Sequence, residues 1–386
     1  MSMKISSKNL LFYLGYILIL VSLLFGKVTF IEKYLPIIEK IGLAILILLF
    51  IIQFLEFKGS IKWKRLILFT ILSVLGILSY YKSDSLYFLK FVLIISTITN
   101  LDFEDFLKKD VIIKSILILT VIILYFLGYT DNVLVYRSGN VIRYSLGLGH
   151  PNTLGMYIAM ILTEVFWIRR NKNNIFLVTL SIGFLVFIKY ITDSRSSMVV
   201  LSLVILLSLL NNKKWLKIFD KKYLKLLVKC SFIILSVLSL GLCYIYAHKY
   251  LPAIKLNSIL SNRLYWWTFY LKNYDLNLLG NKLFIPNVIT KYLGRYYLSI
   301  DNAFIYTLLE YGILIWVFYG LMFYLTFIKM YKEKEYYLIG IMVVLMLSGL
   351  MEICLISFNF NPFILLFSSL LFNENKITKD SETNEK

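Results

Sequence analysis

The stretch PIIEKIGLAILILLFIIQFLE, residues 36–56, decides the fold. From Ile41 to Leu55 it carries no charge. Its length matches the roughly 20 apolar residues that a helix needs to cross the hydrocarbon of a bilayer. Lipid offers no partner to backbone N–H and C=O groups, so such a segment spans as a helix, which pairs them internally. Similar segments lie at 9–26, 65–81, 86–99, 110–128, 149–168, 174–191, 196–211, 226–247, 301–328, 336–354 and 360–372. The expected fold is therefore all-α: one polytopic membrane domain, residues 1–386, with about twelve spanning helices. Composition agrees. Charged residues make up 16% of the chain and mean hydropathy is +0.77, whereas a soluble domain carries about 25% charged residues. The period-two alternation of an outer-membrane barrel is absent. The first segment lacks a small-residue cleavage site and reads as a retained anchor. The polar residues 373–386 read as a disordered tail.

The net charge of +19 would suggest nucleic acid on a soluble protein. Here the basic residues sit in short connections: Lys62, Lys64 and Arg65; Arg169, Arg170 and Lys172; Lys213, Lys214, Lys217, Lys221, Lys222 and Lys225. The positive-inside rule places these connections, and with them both termini, in the cytoplasm. Contact with anionic membrane lipids accounts for such charge, and no aromatic-and-basic module calls for nucleic acid. Cys230, Cys243 and Cys354 lie in apolar segments and form no disulfide framework. With only His150 and His248 in the chain, no His-based metal cluster or other cofactor site is expected. The run Asp102, Glu104, Asp105, beside Lys108 and Lys109, reads as a self-paired solvated loop rather than a metal site. No internal repeat, P-loop or dinucleotide turn is present.

Polarity instead gathers on the opposite, extracytoplasmic side. One connection there, about 247–300, is too long for an idle loop and too apolar for disorder. It holds Arg263, Trp266, Trp267, Tyr270 and Arg295. Ile259 to Leu271 is expected to form an interfacial helix, with the tryptophans either as membrane anchors or as faces for sugars. Three further clusters face the same side. In Arg143-Tyr-Ser-Leu-Gly-Leu-Gly-His150-Pro-Asn152-Thr-Leu-Gly155, Pro151 suits the first position of a helix. The N-terminus that follows is either a capped start or, with Arg143, an anion site. In Thr192-Asp-Ser-Arg195-Ser-Ser197, Arg195 either pairs with Asp193 or clamps a phosphate with its planar fork. In Asp301-Asn302-Ala-Phe-Ile-Tyr306-Thr-Leu-Leu-Glu310-Tyr-Gly312, Asp301 is either a helix cap or a general base. Glu310, nine residues on in a continuous helix, would point away from Asp301 and is read as structural.

Arginines, one histidine and a boundary carboxylate suit a lipid-linked diphosphate that carries sugars. At this point Gly149-His150-Pro151-Asn152-Thr-Leu-Gly155, Ser194-Arg195-Ser196, and Asp301-Asn302 with Leu309-Glu310-Tyr-Gly312 resemble signatures of Wzy-type polysaccharide polymerases, of the O-antigen polymerase and ligase superfamily. The resemblance covers most of the chain. It implies a cofactor-free glycosyltransferase that polymerises undecaprenyl-diphosphate-linked oligosaccharide repeat units at the outer face of the cytoplasmic membrane. A flippase and a chain-length regulator would be its partners. It implies Asp301, His150 and Arg195 as catalytic residues. It implies Arg143, Arg263, Arg295, Asn152, Asn302, Trp266 and Trp267 as substrate-binding residues. Where the ligase branch carries a histidine before the Asn, this chain has Asp301, which favours the polymerase branch and leaves His150 as the competing base. Two alternatives stay open: a ligase-like glycan transferase, and a flippase or transporter of the same lipid-linked oligosaccharide. The usual transporter signs, midplane polar groups on broken helices, are not evident in the sequence.

Overall fold

The computed structural model describes residues 7–56, 59–98, 101–130, 134–137, 141–172, 174–211, 216–283 and 300–372. The expected tail at 373–386 and Arg295 lie outside them. Helix occupies every predicted apolar segment. In chain order the helices are α1 (Ser7–Leu24), α2 (Leu35–Glu56), α3 (Gly59–Ser83), α4 (Tyr87–Thr97), α5 (Phe103–Phe126), α6 (Pro151–Ile168), α7 (Ile175–Phe187) and α8 (Arg195–Leu209). There follow α9 (Lys222–Lys229), α10 (Ser231–Ala247), α11 (Leu251–Ile259), α12 (Arg263–Asn273), α13 (Ala303–Tyr306), α14 (Ile313–Lys332), α15 (Tyr336–Ser348) and α16 (Ser368–Leu371).

Among the described residues, five helical stretches are long and apolar enough to cross a membrane: Ser7–Leu24, Glu32–Glu56, Trp63–Ser83, Ile175–Thr192 and Ile313–Lys332. The pair α9 and α10, bent by 68°, makes a sixth if it is one span. The chain is thus a helical membrane protein. The difference from twelve has a physical cause. Some segments, such as α4, α8 and α15, are short helices, and α5 and α6 carry charges inside them. Helix α5 is built inside out. Ile112, Ile116, Leu119 and Ile123, spaced by three and four residues, are each more than half exposed, while Asp110 and Lys114 are fully buried. In water that arrangement would expose a greasy stripe and bury charge; in lipid the stripe faces its natural solvent.

Not everything is helix. An antiparallel hairpin, β1 (Leu134–Arg137) and β2 (Val141–Tyr144), pairs Val135 with Arg143 and leads into α6. The helix expected over Ile259–Leu271 is α12 and starts later, at Arg263, because Ser261 and Asn262 take positive φ; α11 precedes it in the same connection. The acidic run is self-paired as expected. Asp102 caps α5 through the N–H groups of Glu104 and Asp105. Burial opposes the charge of Glu104, but Lys108 and Arg170 hold its carboxyl below the ordinary range.

Two helices end in π-turns: the first end falls between two expected segments, and the second breaks the expected segment 301–328, contrary to the sequence reading. Helix α7 runs into a π-turn, Ile188–Thr192, and stops at Asp193 (φ 41°) before α8 begins. Helix α13 runs into a second π-turn, Thr307–Tyr311, and stops at Gly312 (φ 89°) before α14. The second break is wedged by the long connection. The N–H of Ile313 donates to Asn277 O at 3.0 Å, and Asn281 Nδ2 donates to Leu309 O at 2.9 Å. A Cβ on Gly312 would lie 2.3 Å from Gly280 N. Positive φ and a backbone neighbour at that distance leave room for glycine alone. Gly312→Ala should therefore destabilise the purified protein by about 2–5 kcal/mol, combining strain with overpacking. A thermal scan in detergent checks this, and an unchanged midpoint would contradict the wedge.

Candidate functional site

Three helix N-termini meet at one carboxylate. The site begins on β2, whose Arg143 is 5% exposed. Its Nε donates to Thr192 O at 2.8 Å, and its Nη2 donates to Asn152 Oδ1. The chain then turns through Gly147 and Gly149, both at positive φ, to His150, which caps α6. His150 Nδ1 accepts the Asn152 N–H at 3.1 Å. Asn152 Nδ2 in turn donates to Glu352 Oε1 at 3.2 Å. From the first turn of α8, Ser196 Oγ donates to the same oxygen at 2.5 Å. From the first residue of α12, Arg263 Nη2 reaches it at 3.1 Å. Arg263 Nη2 also lies 3.6 Å from Asp301 Oδ2. Gly155 allows this assembly: a Cβ there would stand 2.9 Å from Ser194 Cβ, so only glycine lets α6 close on the start of α8.

The arrangement suits anions. Each N-terminus of α6, α8 and α12 presents the positive end of a helix dipole, and α8 and α12 begin without a capping side chain. Arg263 and Arg143 add two fixed positive charges, which Glu352 and Asp301 balance. The Asp301 side chain is 29% exposed and that of Glu352 12%, so Asp301 is the carboxylate open to an incoming group.

No family model, curated protein or solved structure matches the chain. The geometry therefore has to speak for itself.

It brings together Arg143, His150, Asn152, Arg263 and Asp301, five of the residues singled out in the sequence. It reassigns others. Asn302, expected to touch substrate, is fully buried. Its Oδ1 caps α13 through the N–H groups of Phe304 and Ile305, and its Nδ2 donates to Ser239 Oγ and Leu350 O. The cap is thus Asn302, which leaves Asp301 without that duty. Trp267, expected as a sugar platform, is 2% exposed and packed with Leu264, Ile305 and Leu309. Trp266 is half-buried and edge-on to Tyr265 and Phe269. Asp193 pairs with Lys189 at 3.1 Å, not with Arg195. Arg195 is exposed, with Ser196 rather than Arg195 reaching the cluster. Glu310 lies in the π-turn Thr307–Tyr311, so a continuous α-helix does not set its direction relative to Asp301.

His150 is weakened as a base by its own cap. Its Nδ1 lone pair is held by the Asn152 N–H, so the neutral ring carries its proton on Nε2. It can donate a hydrogen bond there but has no free lone pair to take a proton.

Two residues central to the site were missed in the sequence. Glu352 was visible as an acid near the end of the apolar segment 336–354, and intramembrane acids are functional by default. Ser196 was quoted without a role. Beside the cluster lies a cavity of about 390 Å³, lined by His150, Tyr87, Tyr157, Tyr306, Tyr311 and Asn359, among others. Asn359 is fixed at its wall. Its Oδ1 accepts from Tyr87 Oη at 2.6 Å, and its Nδ2 donates to Tyr157 Oη at 2.7 Å.

Arg143 emerges as a brace. Arg143→Ala should leave Thr192 O and Asn152 Oδ1 buried without donors, at about 1–3 kcal/mol each. Arg143→Lys should recover only part, since an ammonium lacks the fork. Thermal midpoints of the two variants test this. Equal midpoints for Ala and wild type would remove the bracing role.

Proposed function

We propose that the chain is a glycosyltransferase that polymerises lipid-diphosphate-linked oligosaccharide repeat units at the outer face of the cytoplasmic membrane, with both termini in the cytoplasm and about twelve membrane crossings. The observation that carries this is Arg263, held between Glu352 and Asp301 at the meeting point of three helix N-termini. An incoming diphosphate is attracted by the N-termini and by Arg263. It competes with Asp301 for Arg263, because that contact, at 3.6 Å, is the weaker of the two. Once released, Asp301 takes the proton from a sugar hydroxyl of the acceptor unit. That oxygen attacks the anomeric carbon of the donor, the bond to the diphosphate breaks, and Arg263 stabilises the charge on the leaving group. Arg195, exposed at the start of α8, is placed to meet lipid-borne phosphate. The aromatic cavity beside His150 suits a sugar.

Orientation follows from α6. The cluster sits at its N-terminus and Arg169 and Arg170 at its C-terminus. Its 18 residues rise about 27 Å, close to the hydrocarbon thickness of a bilayer. If the basic end is cytoplasmic, the cluster is outside.

A second reading has its own support. The helix broken at Thr307–Tyr311 and a fully buried charged cluster at Lys114 are features of transporters. A flippase for the same lipid-linked unit would use the site for binding alone. Purified protein in liposomes with a lipid-diphosphate oligosaccharide, without nucleotide or added metal, separates the two. A ladder spaced by one repeat unit on a gel supports transfer. Movement of the intact unit across the bilayer, with no ladder, supports transport.

A further inference from the structure

Deep in the bundle, three ionisable side chains meet out of reach of solvent. Lys114 Nζ on α5 lies 2.6 Å from Asp110 Oδ2 and 3.0 Å from Glu164 Oε1 on α6, and all three side chains are 0% exposed. From α1, Tyr16 Oη donates to Asp110 Oδ1 at 2.9 Å. Tyr13 on α1 and Tyr157 on α6 are the other titratable groups whose charges bear on Asp110. The site is separate from the cluster at Glu352. Glu164 follows Pro151 by thirteen positions, about 20 Å down the helix by its rise.

The charges do not balance. Two carboxylates face one ammonium, and no other cation is among the groups named. Asp110 has the lysine on one oxygen and a tyrosine hydroxyl on the other. Glu164 Oε2 is buried without a hydrogen-bond partner, as is Asp110 Oδ2 by hydrogen-bond geometry. Both carboxyl groups contact the same ammonium. A buried surplus negative charge is costly, and two neighbouring carboxylates cannot both ionise cheaply. A proton held by the pair removes the surplus charge. A metal cation has less claim, because the Lys114 ammonium already occupies the space between the acids.

We infer that Asp110 and Glu164 share one bound proton, making an intramembrane proton-binding site with Lys114 as its fixed counter-charge. The site holds whichever of the two functions above is correct.

Infrared difference spectroscopy on the full-length protein in lipid tests this. Glu164→Gln and Asp110→Asn each leave one carboxylate for one lysine, so each should release the proton. The carbonyl band of one protonated carboxylic acid should disappear in both difference spectra at neutral pH. Gln and Asn keep the shape of the acids, and thermal midpoints near wild type are expected to show that the variants fold. Lys114→Gln, with no counter-charge, should keep the band if it folds. Difference spectra without loss of the band in folded Glu164→Gln and Asp110→Asn would overturn the assignment. So would a rise in wild-type thermal midpoint on adding sodium that vanishes in Glu164→Gln, since a metal ion would then fill the site.

Discussion

Arg263→Ala is expected to reduce transfer by about 10²–10³-fold, the usual cost of removing one fixed donor from a developing oxyanion. The structure says why the loss falls on chemistry as well as binding. Arg263 touches both carboxylates of the site. Without it, Glu352 and Asp301 confront each other, and the leaving diphosphate loses its counter-charge. Arg263→Lys keeps a charge but places it as a point rather than a fork. It should recover part of the affinity and little of the turnover. Initial rates against substrate concentration separate the two: the account expects kcat to fall in both variants and KM to rise mainly in Ala. An Ala variant that folds and turns over normally would remove Arg263 from the mechanism.

The second large effect belongs to Asp301. Because Asn302 caps α13, Asp301→Asn leaves the helix start intact and removes a proton acceptor together with the charge that meets Arg263. General bases contribute about 10²–10⁴-fold, so turnover should fall by that factor with the thermal midpoint unchanged. Glu at the same position should restore some rate. His150→Gln provides the contrast. Its expected loss is smaller, because Nδ1 is spent on the Asn152 N–H. If His150→Gln proves the more damaging variant, the roles of base and cap must be exchanged.

Much of the helical framework was legible in the sequence, because a bilayer imposes length and apolarity on each crossing. The helix start at Pro151 was readable from proline at its first position, and the turn before Arg195 from the polar run between two apolar segments. The break inside 301–328 was not. A π-turn costs no apolar residue, so Thr307–Tyr311 looks like more of the same helix, and Gly312 carries the only local hint. The site was half legible. His150, Asn152, Arg263 and Asp301 stood out as polar residues at segment ends. Glu352 did not, since it joins them from a segment about fifty residues further on. Asn302 and Trp267 show the opposite error: their chemistry suits a sugar, but packing decides whether it is offered to one. The pair Asp110 and Lys114, four apart on a helix, was a readable ion pair. Its third member, Glu164, comes from another helix and is found only in three dimensions.

The central claim is that a glycosyl–diphosphate bond breaks at Arg263 and Asp301. The most direct measurement uses a repeat unit whose lipid diphosphate is radiolabelled, with the purified protein in liposomes. The account predicts one lipid diphosphate released for every linkage formed, and release about 10²–10⁴-fold slower from the Asp301→Asn variant. Consumption or movement of the substrate with no lipid diphosphate released would contradict it.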